Sequence, residues 1–203
     1  MSVLVAERTV VNLDRQLWQV WNSMDLPDGF RAEIIEGTIT VSPTGSSRVF
    51  DVDNRVLEDL FVHLRGGDWR PGNDCNVIDG LKVLIPDVFV ARRDIEEIDH
   101  PEGKGLLASG VALVVETVSP GAENRRRDHV LKRHAYAAAG IPVYVIVDDY
   151  DDGGAVTVLT GPDPERRAYA SSTRVPYGQE AVVPEGPAKG FVIGPEITGE
   201  RRG

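Results

Sequence analysis

One cysteine in 203 residues, Cys75, leaves no partner for an internal disulfide and rules out a cysteine-based zinc site. It reads as a small buried or half-buried side chain. Histidine is nearly as sparse. The four histidines (His63, His100, His129, His134) are scattered, and the closest pair stands five positions apart, off a common helix face. This argues against a histidine metal site. No apolar run approaches the roughly 18 residues of a membrane helix. The start, MSVLVAERTVV, lacks the basic opening and long apolar core of a signal peptide. A cytoplasmic chain without membrane association is expected. A basic surplus is missing as well: 22 Lys and Arg against 32 Asp and Glu leave a net charge of −10. A field of that sign does not by itself draw in nucleic acid and counts against a nonspecific coating protein. It leaves room for an enzyme with a local basic strip.

What remains is an ordinary globular composition, 41% hydrophobic and 27% charged in 22.1 kDa, with no repeat and no low-complexity stretch. A single domain over residues 1–203 is expected, with its core at about 10–160, short strands over 155–193 and a frayed tail over 194–203. Asp14 can cap a first helix in which Leu13, Leu17, Val20, Trp21 and Met24 recur at helical spacing, ended by Pro27, Asp28 and Gly29. Glu36-Gly37 between two β-prone runs signals a hairpin. A second helix at about 47–64 carries Val49, Val52, Val56, Leu57, Leu60, Phe61 and Leu64 as its apolar stripe. Residues 81–90 read as a strand that Pro86 bends or pushes to an edge. Residues 94–109 read as a charged loop. GVALVVETV and VYVIVDD read as buried strands around a helix at about 124–139, one βαβ unit. The order predicts an α/β fold, with a mixed central sheet flanked by helices on both faces.

Three features carry chemistry. Glu116 stands in the otherwise apolar Val111-Ala-Leu-Val-Val-Glu-Thr-Val. Either it is buried, and then neutral, paired or bound to a cation, or it ends the strand facing solvent. Asp87 follows Pro86 inside Leu84-Ile-Pro-Asp-Val-Phe-Val, which reads either as a turn or as a carboxylate set between apolar neighbours. Asp128, Lys132 and Tyr136 repeat every four residues, on one helix stripe. That is either a surface ion pair with a half-buried tyrosine or part of a site. Arg125, Arg126, Arg127 and Arg133 join Lys132 to give the 120–134 stretch a local charge of +3, a solvated face or an anion-contacting strip. Two carboxylates at the ends of adjacent strands can hold a hard divalent cation, and a nearby lysine can orient or deprotonate water or offset charge on phosphorus.

In order and spacing these residues resemble the Uma-two family, restriction endonuclease-like proteins of the PD-(D/E)XK nuclease superfamily. The resemblance runs through Ala32-Glu33-Ile-Ile-Glu36-Gly37, Pro86-Asp87, Val114-Val115-Glu116-Thr117-Val118-Ser119-Pro120, Asp128-x-x-x-Lys132-x-x-x-Tyr136 and Gly140-Ile-Pro-Val-Tyr144-Val-Ile-Val-Asp148, over roughly residues 10–160. It implies a restriction endonuclease-like core that uses Mg²⁺ or Mn²⁺ to hydrolyse phosphodiester bonds. Asp87 and Glu116 would bind the metal, and Glu33 would be the additional acid, with Glu36 as its substitute. Lys132 would take the basic role, because position 118 holds Val where the superfamily pattern has lysine. Asp128 and Tyr136 would line the site. The family's early histidine in the second helix is missing from Ser47-Arg48-Val49-Phe50-Asp51. Nucleic acid, DNA in the first place, is the implied substrate. Arg125, Arg126, Arg127 and Arg133 would contact it, in a homodimer whose two 125–133 strips form a basic cleft. A binding or assembly protein with weak or no catalysis, and a hydrolase of small phosphodiesters, stand as alternatives.

Overall fold

The computed structural model describes residues 2–200, with side chains from 12 to 200. Helix α1 (Ser2–Asn22) leads into strands β1 (Phe30–Ile35) and β2 (Thr38–Pro43). These pair antiparallel from Phe30↔Pro43 to Ile35↔Thr38, which leaves Glu36-Gly37 as a two-residue turn. Both turn residues have positive φ, 51° and 71°, as a tight primed turn requires. Because α1 begins before it, Asp14 lies inside the helix and does not cap it. The buried face is also rotated from the expected stripe. Trp18 stacks on Trp21, and both pack with Leu17 on the outer face of the hairpin, while Leu13 and Val20 face solvent.

Helix α2 (Ser47–His63) starts at Ser46, whose hydroxyl accepts from the Val49 amide. Val49, Val52, Val56 and Leu60 form its buried stripe, while Phe61 is 54% exposed. Burying such side chains contributes about 1.5–3 kcal/mol each. Then come β3 (Trp69–Gly72), β4 (Val77–Asp79), β5 (Lys82–Leu84), β6 (Val88–Arg92) and a two-residue β7 (Leu106–Leu107). A 3₁₀ turn, Ala108–Gly110, enters β8 (Val111–Thr117). Helix α3 (Ala122–Arg126) runs through a π-turn, Arg127–Lys132, into α4 (Arg133–Ala138). The chain finishes with β9 (Val143–Asp148), β10 (Ala155–Asp163), β11 (Ala168–Pro176), β12 (Ala181–Val182), β13 (Val192–Ile193) and α5 (Pro195–Thr198).

The central sheet is mixed, in the order β11-β10-β9-β8-β6-β3, and its one parallel pair is β8 with β9, around the helix as expected. A second sheet, β2-β1-β5-β4-β7, stands beside it. The apolar run at 81–90 is therefore two strands. Pro86 withholds a ladder N–H at the break, β5 goes to the second sheet and β6 to the central one, and Asp87 sits in the crossing.

The C-terminal third also departs from expectation. β10 and β11 are nine-residue strands that form a hairpin at the edge of the central sheet. Residues from 194 onward do not fray as far as they are described, since Ile197 and Thr198 of α5 are buried; 201–203 lie outside the described residues. One core layer packs α2 and the C-terminal segment on one face of the central sheet, and the other packs α4 and the second sheet on the opposite face. Among the described residues, no helix is long and apolar enough to cross a membrane.

Candidate active site

Alternation along β8 decides where its acid goes. Leu113 and Val115 join the α2 layer and Val114 joins the α4 layer, so Glu116 turns toward α4. There it is 1% exposed, inside the protein and not at a wet strand end. The π-turn brings Lys132, fully buried, over it. A π-turn in a helix is a frequent companion of functional sites. Lys132 Nζ donates to Glu116 Oε1 at 2.8 Å and to the Ile85 carbonyl at 3.1 Å, and stands 3.2 Å from Glu33 Oε1. Tyr136, one turn further on, donates its hydroxyl to Glu116 Oε1 at 2.5 Å. Glu33 Oε1 accepts the Ile85 amide at 2.6 Å. Glu33 comes from β1, where it shares the inner face with Arg31 and Ile35.

Asp87 forms the neighbouring wall. Its Oδ1 accepts from Arg31 Nη2 at 2.9 Å, and its Oδ2 accepts the Thr117 amide at 2.9 Å. The Thr117 hydroxyl donates to Asp53 Oδ1 at 2.6 Å, which brings a carboxylate of α2 to the same place. Arg31, Asp53 and Thr117 are the members that sequence reasoning missed. Arg31 stands two positions before Glu33 on one strand, and Asp53 flanks the Val49–Val52–Val56 stripe, so both carried a weak spacing signal.

Burial disfavours the charge on Lys132, but Glu116 and Glu33 outweigh it and hold the ammonium protonated. Burial pushes Glu116 well up from the ordinary carboxylate range; Lys132 opposes the shift, while Asp87, Asp128 and Glu33 add to it. Tyr136 is likewise held protonated by burial and the Glu116 charge. Asp53 is pushed up to about 8, first by burial and then by the charge of Asp87. A carboxyl raised in the folded state contributes stability that is full below its ordinary value near 4 and is lost as pH climbs to about 8. Asp53→Asn is therefore expected to melt with the parent at pH 4 and above it at pH 8, by about 2–4 °C for each kcal/mol relieved. Paired thermal melts check this, and an equal offset at both pH values would count against it.

Of the remaining sequence candidates, Asp128 is buried with Oδ1 accepting from Arg127 Nε at 3.0 Å. Glu36 is not with them. It lies in the hairpin turn and pairs with Arg167. Arg125 pairs with Asp148, which also contacts His129, and Arg133 stands near Tyr169. Arg126 is exposed at the rim of the cleft that Arg127 lines.

Among the described residues, no group of three or more His, Cys, Asp or Glu side chains is placed to hold a metal ion. The donor chemistry nevertheless fits a divalent cation. Five electrostatically linked carboxylates (Glu33, Asp53, Asp87, Glu116, Asp128) face three cations (Arg31, Arg127, Lys132), a surplus of two negative charges when all are ionised. Hard carboxylate oxygens are what Mg²⁺ and Mn²⁺ prefer.

A family model, Uma2, described as "Putative restriction endonuclease", matches residues 18–193. A crystal structure described as "a putative nuclease belonging to DUF820", from Anabaena variabilis ATCC 29413, shares the fold with a TM-score of 0.66. The two chains are 13% identical over 90% of this chain and 96% of that one. No curated protein matches the chain.

Proposed function

The chain belongs to the Uma2 family, and from that premise we propose that it is a divalent-metal-dependent nuclease that hydrolyses phosphodiester bonds of nucleic acid, DNA in the first place. The observation that carries this is the buried Lys132 shared by Glu116 and Glu33, with Asp87 beside them across Thr117. Asp87 and Glu116, with Glu33, would hold Mg²⁺ or Mn²⁺. A cation bound there supplies Lewis-acid polarisation of the phosphoryl oxygen and a water of lowered pKa. The protein's own groups do the rest. Lys132, held protonated by Glu116 and Glu33, would serve as a positive charge that orients water and offsets charge gathering on phosphorus. Tyr136 fixes the rotation of the Glu116 carboxylate. Arg31 fixes Asp87, and Arg126 and Arg127 offer charge to a strand in the adjoining cleft. A cytoplasmic homodimer, setting two such strips side by side, would help a chain of net charge −10 approach DNA.

The test is cleavage of supercoiled DNA with Mn²⁺ or Mg²⁺, with EDTA, and with Asp87→Asn. Nicking that needs the metal and falls about 10²–10³-fold in Asp87→Asn is expected. Metal-independent cleavage, or full activity in Asp87→Asn, would overturn it. A second reading, a binding protein without catalysis, is favoured by one observation: both Asp87 oxygens are already taken, by Arg31 and the Thr117 amide. Salt-dependent DNA binding with no cleavage under any metal would select it.

A further inference from the structure

The register of the first hairpin sets Ser42 opposite Arg31, so their side chains lie together on the inner face. Both end in groups that the fold leaves without partners. Ser42 is 8% exposed, yet its Oγ has no hydrogen-bond partner, and neither has the buried Arg31 Nε. Arg31 spends Nη2 on Asp87, and Arg127 spends Nε on Asp128. All four residues besides Asp128 (Arg31, Ser42, Asp87, Arg127), together with Thr117 and Asn124, line one cavity of about 320 Å³, large enough for a small ligand.

A buried hydroxyl and a buried guanidinium N–H without partners are costly unless something arrives to accept from them. Two arginines and a serine that line one space suit a tetrahedral oxyanion. The cavity is also a stage on a longer furrow. It shares Arg31 and Asp87 with a space reaching Asp53, and Ser42 and Arg127 with a space that Thr40, Arg126 and Leu131 continue. A strand laid along it would pass the Asp87 wall and then meet the arginines.

We propose that the cavity between the hairpin and the π-turn is a phosphate subsite, in which Arg31, Ser42 and Arg127, which line it, grip a phosphate of a nucleic-acid strand next to the scissile one. It rests on the nuclease reading for the identity of the strand, but not for the binding of phosphate. Ser42 and Arg31 are positioning residues here: they hold the strand and touch no reacting atom.

The experiment uses metal-free protein in EDTA. Calorimetry with inorganic phosphate measures the anion alone, and anisotropy of a short fluorescent DNA strand, with inorganic phosphate as competitor, measures the strand. The wild type should bind both, with phosphate displacing the strand. Ser42→Ala, which breaks no internal hydrogen bond, should keep its melting temperature and bind both roughly tenfold more weakly. No phosphate binding by the wild type, or undiminished binding by Ser42→Ala, overturns the subsite. Phosphate that binds without displacing the strand overturns the strand as its source and leaves a free-anion site. Because no metal or cleavage is involved, the two readings fail separately. Ser42-dependent binding in a chain that cleaves nothing sinks the nuclease, and metal-dependent cleavage with wild-type strand binding in Ser42→Ala sinks the subsite.

Discussion

Lys132→Met is expected to cost about 3–5 kcal/mol of stability at pH 8, the penalty for removing one partner of a buried ion pair. That is a large part of the 5–15 kcal/mol that holds a typical domain folded. The methionine fills the space but leaves Glu116 and Glu33 facing each other without a cation, both about 1% exposed. The deficit should shrink as pH falls. Glu116 is already raised by burial, and without Lys132 it takes up a proton more readily still. A group raised in the folded state gives stability below its ordinary value and loses it as pH rises through the folded one, so the variant should be strongest in acid. Adding Glu116→Gln should return much of the loss at pH 8. Urea unfolding at pH 5 and pH 8 measures all three chains. Equal stability of Lys132→Met and the parent at pH 8 would mean that the carboxylates carry no charge there. Buried ionic clusters are often no more stabilising than well-packed apolar residues.

Glu116→Gln alone is expected to behave in the opposite sense on the two axes. Activity on supercoiled DNA in saturating Mn²⁺ should fall about 10²–10³-fold, as for loss of one charge-stabilising group. Stability should hold or rise. The amide oxygen still accepts from Tyr136, Lys132 still has Glu33 and the Ile85 carbonyl, and one desolvated charge has gone. Cleavage rate and melting temperature together separate this from a folding defect. Activity within about tenfold of the parent would remove Glu116 from the chemistry.

Much of this arrangement was legible along the chain because local rules governed it. The Glu36-Gly37 turn, the Val49–Leu60 stripe and the βαβ unit each follow from short-range periodicity or from the conformational needs of a turn. Lys132 and Tyr136 could be placed on one stripe with Asp128, and the family resemblance set Lys132 at the same site as Glu116, but nothing local says which face of β8 meets which helix. What stayed hidden depends on distant pairings. Arg31 reaches Asp87 across 56 positions and Asp53 reaches Thr117 across 64. The break at Pro86 looked like a bend because the sequence does not announce a second sheet to receive β5. β10 and β11 read as short strands in the sequence because Gly161 and Pro162 interrupt one, and Ser171, Ser172 and Thr173 leave the other polar, as an edge hairpin tolerates. Asp14 looked like a cap because the residues before it form an unpromising helix start.

The arginine near the start of α2 ties together stretches of chain made at very different times. Arg48 donates to both oxygens of Asp149 and to the carbonyl of Thr198, 150 positions away. Arg55, two turns later, reaches the Glu196 carbonyl. Contacts of such sequence separation are slow to form, because a long loop must close before they give anything back. On a ribosome the order is stricter. A nascent chain that has emerged as far as β11 has the hairpin, the π-turn and both sheets, but not the acceptor at Thr198. The ties of this helix to the Glu196 and Thr198 carbonyls form only after those residues leave the exit tunnel, so vectorial synthesis completes the wall that carries Asp53 after both sheets.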